Sequence, residues 1–462
     1  MLFSSIPFLY YYLPVVLIAY YLAPKSVKNG VLLLASLVFY GWGEPAFVFL
    51  MMATIAIGYV FGIIIEKFKQ EKYREKPWAK FCMIISVGIC LGLLGYFKYA
   101  NFFIRNINVA TGMSVPLLKV VLPIGISFYT FQLVSYLIDV YWGKVTAQKN
   151  PIILATYITM FPQLIAGPIV RYSDVEKQLK ERDITFDKIA YGIRRFSLGL
   201  GKKILIANVL GEFCAAFKAT DEKSIVFFWA YAIAVSLQIY FDFSGYSDMA
   251  IGLGSMLGFH FIENFNYPFI SKSATEFWRR WHMSLGTWFR DYVYIPLGGS
   301  RCSRSRNLLN IFIVWMLTGF WHGAEWTFVA WGLYYGVILL AEKMLYGKLL
   351  KKLPAVMRHI YTLFVVVVGW IFFVSPNFTS AFRYLKVMFV PAAGNIVQLI
   401  PWAFTFIVGI VSCTPLCTAI MGTVSIKRKT GFVEVVLCIA GLLLCVASLV
   451  TETYNPFIYF QF

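Results

Sequence analysis

Two of the chain's four histidines lie in short stretches where polar and aromatic residues crowd together. His282 sits in "WRRWHMSLGTWFRDYVYIPLGG" (278–299) and His322 in "GFWHGAEW" (319–326). Apolar runs flank His322 on both sides, and an ionisable group in such a setting is costly unless it has work to do. Desolvation disfavours the charged form of an imidazole, and a neutral ring can take a proton from a hydroxyl. His322 is therefore a candidate general base, with Gly319 and Gly323 allowing another backbone or a substrate to come close. A hydrogen-bonded histidine at a helix–helix turn fits the same residues, and the sequence leaves both readings open.

The residues around His282 suggest a partner for such a base. Arg279, Arg280 and Arg290 carry guanidinium groups, which recognise phosphate well, and so suit a phosphate-rich donor such as coenzyme A. Asp291 beside Arg290, and Trp281 and Trp321 beside the two histidines, complete a candidate substrate-binding set. An interfacial helix anchored by Trp and Arg would use the same residues without any ligand. Two further groups can support the site. Asp242 and Asp248 in "FDFSGYSDMAIGLG" (241–254) can orient a histidine or pair with loop arginines. Ser127, Tyr129 and Gln132 in "LPIGISFYTFQLVSYLIDVYWG" (122–143) can line a cavity or bond helix to helix. No metal site is expected. The eight cysteines form no CxxC pair, and all but Cys302 lie in apolar segments, so they read as small buried hydrophobes. Cys302, in "GSRCSRSR", has cationic neighbours that favour a thiolate.

These residues need elements to hold them. Of 462 residues, 60% are hydrophobic and 14% charged, arranged as long apolar runs between short basic loops. This is the pattern of a polytopic α-helical membrane protein. Candidate spans are residues 5–23, 30–42, 45–65, 80–98, 118–141, 196–217, 224–241, 308–322, 325–342, 357–375, 396–422 and 432–450, giving eleven or twelve crossings. The net charge of +19 sits in the loops, where it reads as a topology signal and as contacts to anionic lipid rather than to nucleic acid. Placing the basic loops at 25–28, 66–80, 171–188, 342–358 and 426–431 in the cytoplasm puts the N-terminus outside. That terminus lacks a basic n-region and reads as a retained first span. Residues 150–170 hold Pro162, Gly167 and Pro168 in an apolar run and read as a re-entrant or kinked segment. Residues 242–306 read as half-buried and interfacial helices. Within them, Ser273 and Glu276 form a capping-box pattern, and Trp278, Trp281, Leu285, Trp288 and Tyr292 follow as one helical stripe. No repeat or soluble domain stands out, so residues 1–462 read as one membrane-embedded domain.

The residues also resemble a known family, the membrane-bound O-acyltransferases, in its polysaccharide-acetylating branch. The similarity rests on "LGYFKYANFF" (94–103), "LPIGISFYTFQ" (122–132), "FPQLIAGPIVRY" (161–172), "YFDFSGYSDMAIGLG" (240–254), the 263–301 stretch around His282, "GFWHGAEWTFVAWGLYYG" (319–336) and the ending "NPFIYFQF" (455–462). It implies about 11–12 transmembrane helices, with re-entrant and interfacial helices, around a central channel. The family's catalytic histidine falls on His322, and its second histidine, on the acyl-donor route, on His282. The resemblance further implies a cytoplasmic thioester donor, acetyl-coenzyme A, with no permanently bound cofactor. It implies an extracytoplasmic polysaccharide acceptor, an exported acetyltransferase partner, and residence in a bacterial cytoplasmic membrane. Two other readings compete: D-alanyl transfer to teichoic acid from a carrier protein, and a polymer or lipid transporter. "YIPLGGSR" resembles the acetylating branch more than the alanyl one, and transporters often carry repeat halves.

Overall fold

The computed structural model describes residues 1–70, 77–220, 224–390, 394, 396–416, 431–451 and 457. Residues 71–76 of the 66–80 loop, most of the 426–431 loop, Cys417 and most of the 455–462 ending lie outside the described residues. All regular structure among the described residues is helical. Five helices are long and apolar enough to cross a membrane: Phe47–Phe68, Trp78–Thr111, Ile225–Met256, Trp326–Lys352 and Ala355–Val374. Three shorter apolar helices, Pro7–Leu22, Val397–Ser412 and Val435–Val450, accompany them. The chain divides into two compact units, Met1–Phe196 with Met249–Ile262, and Ser197–Asp248 with Glu263–Phe462.

In the first unit, Phe3, Phe8, Tyr12, Phe39 and Phe161 pack edge-on and tilted into an aromatic core. The break anticipated at 150–170 is present. Pro151–Thr159 is helical, Phe161–Leu164 makes one further turn, and the chain then runs without regular structure to residue 170. Irregular backbone in an apolar protein must be enclosed and bonded. Residues 154–170 are all buried, Tyr157 donates its hydroxyl to Val170 O at 3.0 Å, and Gln163 Nε2 donates to Tyr157 O at 2.7 Å. The expected span at 118–141 is corrected: its helix starts only at Ile126. Pro116 and Pro123 withhold backbone donors, and Gly125 turns the chain at a φ of 75°. Amide side chains supply partners for the extended part, with Val115 N donating to Asn108 Oδ1 at 2.9 Å and Leu118 N to Asn101 Oδ1 at 2.8 Å.

The reading of residues 242–256 as interfacial is also corrected. They continue the helix Ile225–Met256 without interruption, and its residues 240–256 are buried throughout. Its two aspartates are tolerated there because each is paired with a lysine. Asp242 meets Lys203 at 2.5 Å and Asp248 meets Lys202 at 2.7 Å, so lysines of a π-helical turn take the place of the expected loop arginines.

The helices Arg304–His322 and Trp326–Ala341 form a tight antiparallel hairpin. Gly319 and Gly332 meet at its crossing. A Cβ on Gly332 would strike Trp315 O, and one on Gly319 would strike Phe328 O. Small residues are what allow helix backbones to approach this closely in a membrane protein. The residues Glu342–Tyr346 continue the second arm as π-helix, and Glu342, expected in a basic loop, is buried. Because the obstacle at Gly332 is backbone, Gly332→Val is expected to cost ~1–3 kcal/mol of stability by overpacking, read as a lower midpoint of thermal unfolding in detergent.

Candidate active site

The site is built on the helix Ala274–Arg280. Its first turn has orphan N–H groups, as every helix start does. Ser273 Oγ accepts from Glu276 N at 3.0 Å, as the sequence pattern suggested, while Glu276 Oε2 accepts from Lys272 N at 3.0 Å. The remaining donors go to a buried carboxylate that the sequence did not reveal. Glu342 accepts from Ala274 N at 2.7 Å, Thr275 N at 2.9 Å and Thr275 Oγ1 at 2.6 Å, and Tyr361 donates its hydroxyl to it at 3.0 Å. A negative charge at a helix N-terminus is favourable, and here it ties the helix to the second arm of the hairpin.

The expected single helix from Ser273 to Tyr292 is corrected. It ends at Arg280, Trp281 is extended, and His282 takes the left-handed conformation with φ 46° and ψ 51°. A second helix, Met283–Phe289, begins directly after it. The left-handed region costs a non-glycine residue on the order of 1–3 kcal/mol, so surrounding structure must enforce it. Backbone pairing does so: Asn266 N donates to Arg280 O at 2.9 Å, and Met283 N donates to Asn264 O at 3.0 Å. Apolar periodicity continues through the break because both short helices bury one face. Trp278 and Trp281 join an aromatic cluster with Trp315, Trp331, Tyr335 and Trp370, whereas Trp288 packs on Tyr292.

The break brings the two histidines together. His322 ends the first arm of the hairpin, ringed by Trp321, Trp331 and Phe373 at centroid distances of 5.0, 5.1 and 5.3 Å. Its ring centroid is 6.5 Å from that of His282. Phe243, next to the Lys203-paired Asp242, packs edge-on against His282 at 4.7 Å. Between His282 and the hairpin that carries His322 lies a cavity of about 210 Å³. Ile311, Val314, Thr318 and His322 line it at helical spacing from one arm, and Trp281, His282, Gly286 and Arg290 from the other side. From Ile311 to His322 the helix rises about 16 Å, so the cavity is elongated, with histidines at one end and Arg290 and Tyr294 towards the other. Tyr294 accepts from Asn307 Nδ2 at 2.7 Å, and Asn307 follows the exposed Arg301, Arg304 and Arg306 in sequence. Lys343 donates to Asn307 Oδ1 at 2.5 Å, which sets the basic start of the second helix extension at this same end of the hairpin.

Of the residues singled out from sequence, His282, His322, Trp281 and Arg290 line the cavity. Arg279, exposed, and Arg280, held by Glu276 at 3.0 Å, do not, and neither do Trp321, Asp242 or Asp248. Asp291 pairs with Arg290 at 2.7 Å. Ser127, Tyr129 and Gln132 belong to the first unit, where Ser127 Oγ accepts from Lys98 Nζ at 3.4 Å. Cys302 donates to Gly299 O at 3.3 Å, which ties it to its own turn rather than to the cavity. Asn264, Ser284, Glu342 and Thr318 were missed, because an isolated polar residue carries no periodic signal. Among the described residues no His, Cys, Asp or Glu cluster can hold a metal.

Burial lowers the His282 imidazole from its ordinary value to about 3. The unfolded chain therefore binds a proton as pH falls below about 6.5, which the folded chain refuses until about 3. Stability is full above that upper value and is lost as pH falls, with a slope approaching ~1.4 kcal/mol per pH unit. Thermal unfolding between about pH 7 and pH 5 is expected to show this loss, reduced in His282→Gln. A Cβ on Gly286 would meet no atom within 4 Å, so Gly286→Leu is expected to leave the protein folded while filling the cavity wall. Its kcat/KM is expected to fall at least about tenfold with unfolding midpoint unchanged, since loss of space for a reacting group acts on the transition state.

The profile of the membrane-bound O-acyltransferase family (MBOAT) matches residues 148–382. A probable alginate O-acetylase AlgI of Pseudomonas aeruginosa is 43% identical, covering 84% of this chain and 75% of its own length. A probable alginate O-acetylase AlgI of Pseudomonas putida is 38% identical over the whole of both chains. A peptidoglycan O-acetyltransferase of Helicobacter pylori is 33% identical, covering 84% of this chain and 80% of its own.

Proposed function

The chain belongs to the membrane-bound O-acyltransferase family and is a multi-pass membrane acyltransferase, and from that premise we propose that it moves an acetyl group from a cytoplasmic thioester donor to O-acetylate an extracytoplasmic polysaccharide. The observation that carries this reading is the elongated cavity, with His282 and His322 at one end and Arg290 towards a basic rim at the other. Acetyl-coenzyme A fits that polarity: its phosphates suit the cationic rim, and its thioester arm suits a narrow, aromatic-walled slot. The relatives named as acetylases of alginate and peptidoglycan support a glycan hydroxyl as the acceptor, with alginate-like polymers first. The chain is then placed in a bacterial cytoplasmic membrane, with a separate exported transferase completing delivery to the polymer.

In the proposed reaction His322 is the general base. Its neutral ring takes the proton of the acceptor hydroxyl, the oxygen attacks the thioester carbonyl, the C–O bond forms and the C–S bond breaks. The imidazolium returns its proton to the leaving thiolate, so the ring ends as it began. Dry aromatic walls at about 5 Å from the ring keep water from competing for the acyl group. Trp281 and Arg290 act as substrate-binding residues. The hairpin, through its glycine crossing, fixes where the base sits relative to the donor slot.

The test is acyl transfer by purified, reconstituted protein supplied with radiolabelled acetyl-coenzyme A, following thiol release and label transfer. His322→Ala is expected to lose ~10²–10⁴-fold in rate while remaining folded. Undiminished thiol release by His322→Ala removes that residue as base. A wild type that responds only to an acyl group loaded on a carrier protein moves the donor to the carrier class, and with it the acyl group to the D-alanyl reading.

A further inference from the structure

Asn264 is completely buried in the loop between the helices Ile225–Met256 and Ala274–Arg280, and its side chain contacts His282. Its Oδ1 lies 3.2 Å from the backbone N of Ser284, 2.9 Å from Ser284 Oγ and 3.1 Å from His282 Nδ1. A backbone N–H can only donate, so the amide atom facing it is the oxygen, and the orientation of the amide follows from its surroundings. His282 Nδ1 therefore meets an acceptor. For that contact to be a hydrogen bond, Nδ1 must carry the hydrogen, and in a neutral imidazole the other nitrogen then holds a lone pair. That other nitrogen, Nε2, is buried and has no hydrogen-bond partner among the described residues. The left-handed backbone at His282 and the Met283–Asn264 bond keep the ring in place over the amide.

We propose that Asn264 is a positioning residue that holds His282 in the Nδ1–H tautomer, leaving Nε2 as a hydrogen-bond acceptor for an O–H or N–H group of the bound substrates. The identity of that group rests on the acyl-transfer reading, where the donor's amides and the acceptor's non-reacting hydroxyls are the available hydrogens, the reacting hydroxyl's own hydrogen going to His322. The tautomer rests on this chain's own geometry. An unmet buried acceptor is costly, so a substrate that supplies the missing hydrogen gains by doing so. Two histidines then divide the work. His322 takes the proton of the reacting hydroxyl, and His282 Nε2 accepts a different hydrogen from the bound substrates and so orients them, which a ring with Nε2 protonated cannot do.

The experiment uses full-length protein labelled with ¹⁵N-histidine in detergent or nanodiscs, where four histidines give a tractable spectrum and His282→Gln assigns the signal. The wild type is expected to show a protonated Nδ1 and a bare Nε2 for His282. Asn264→Leu removes the acceptor and is expected to shift the ring towards Nε2–H or a mixture, with kcat lowered at least about tenfold. Asn264→Asp keeps an acceptor in place and is expected to retain the wild-type tautomer and most activity at neutral pH. Its added negative charge raises the His282 pKa, so the ¹⁵N titration of the His282 ring moves to higher pH. The other titratable or charged groups facing this region are His322 at 6.5 Å between ring centroids, and Arg290 and Tyr294 along the cavity, with Phe243 and Trp321 presenting uncharged faces. An Nε2–H ring in the wild type, or a tautomer unchanged in Asn264→Leu, overturns the proposal. The spectra need no substrate, so they judge the tautomer even where thiol release by the wild type fails and the acyl-transfer reading falls. If Asn264→Leu does not fold, the wild-type tautomer and the Asn264→Asp titration carry the decision.

Discussion

The site depends on one interruption: the chain leaves helix at Trp281, passes through a left-handed residue at His282, and re-enters helix at Met283. An uninterrupted helix would carry Trp281 and His282 around the axis at about 100° per residue and point them to neighbouring parts of one surface. The break instead sends Trp281 into the aromatic cluster and His282 into the cavity wall opposite the hairpin. It is maintained by the antiparallel pairing of residues 264–266 with 280–283, which satisfies the backbone groups that the helix gives up. Asn264 contributes to both halves of this arrangement, with its backbone carbonyl on Met283 and its side chain on His282 and Ser284.

A second constraint follows from the apolar surroundings. Buried polar groups must be bonded, and in this chain those bonds fix the elements around the site. The Glu342 carboxylate satisfies the N-terminus of the Ala274–Arg280 helix and anchors it to the hairpin's second arm. Lys203 and Lys202 meet Asp242 and Asp248, holding the preceding π-helical turn to the helix that carries Phe243 to His282. Breaking a buried pair by removing one partner leaves an uncompensated charge, which is more costly than the pair is valuable. Of the two readings the sequence offered for Asp242 and Asp248, the structure shows pairing with a cation, with lysines in place of arginines.

The hairpin gives the site its depth. Its glycine crossing brings two helices close enough for His322 to sit among Trp321, Trp331 and Phe373, while the face that carries Ile311, Val314 and Thr318 forms one wall of the slot. About 24 Å of helix separate Arg306 from His322, so a basic end and a reactive end occur on one rigid element. Such a separation suits the long thioester donor proposed above.

The class of the protein and its apolar helices were legible from residue types alone, because long apolar runs are informative without any partner being known. The enclosed break at 154–170 was legible for the same reason, since Pro and Gly act locally on the backbone. The family motifs added the pairing of His322 with His282, and tertiary structure placed their rings 6.5 Å apart. What the sequence could not determine was anything that depends on a distant acceptor. The break at His282 requires Asn264 and Asn266, the cap on Ala274 requires Glu342, and the burial of Asp242 requires Lys203. In each case a locally favourable pattern, an unbroken aromatic stripe or a basic loop, was overridden by a hydrogen bond or ion pair that exists only after the chain has folded.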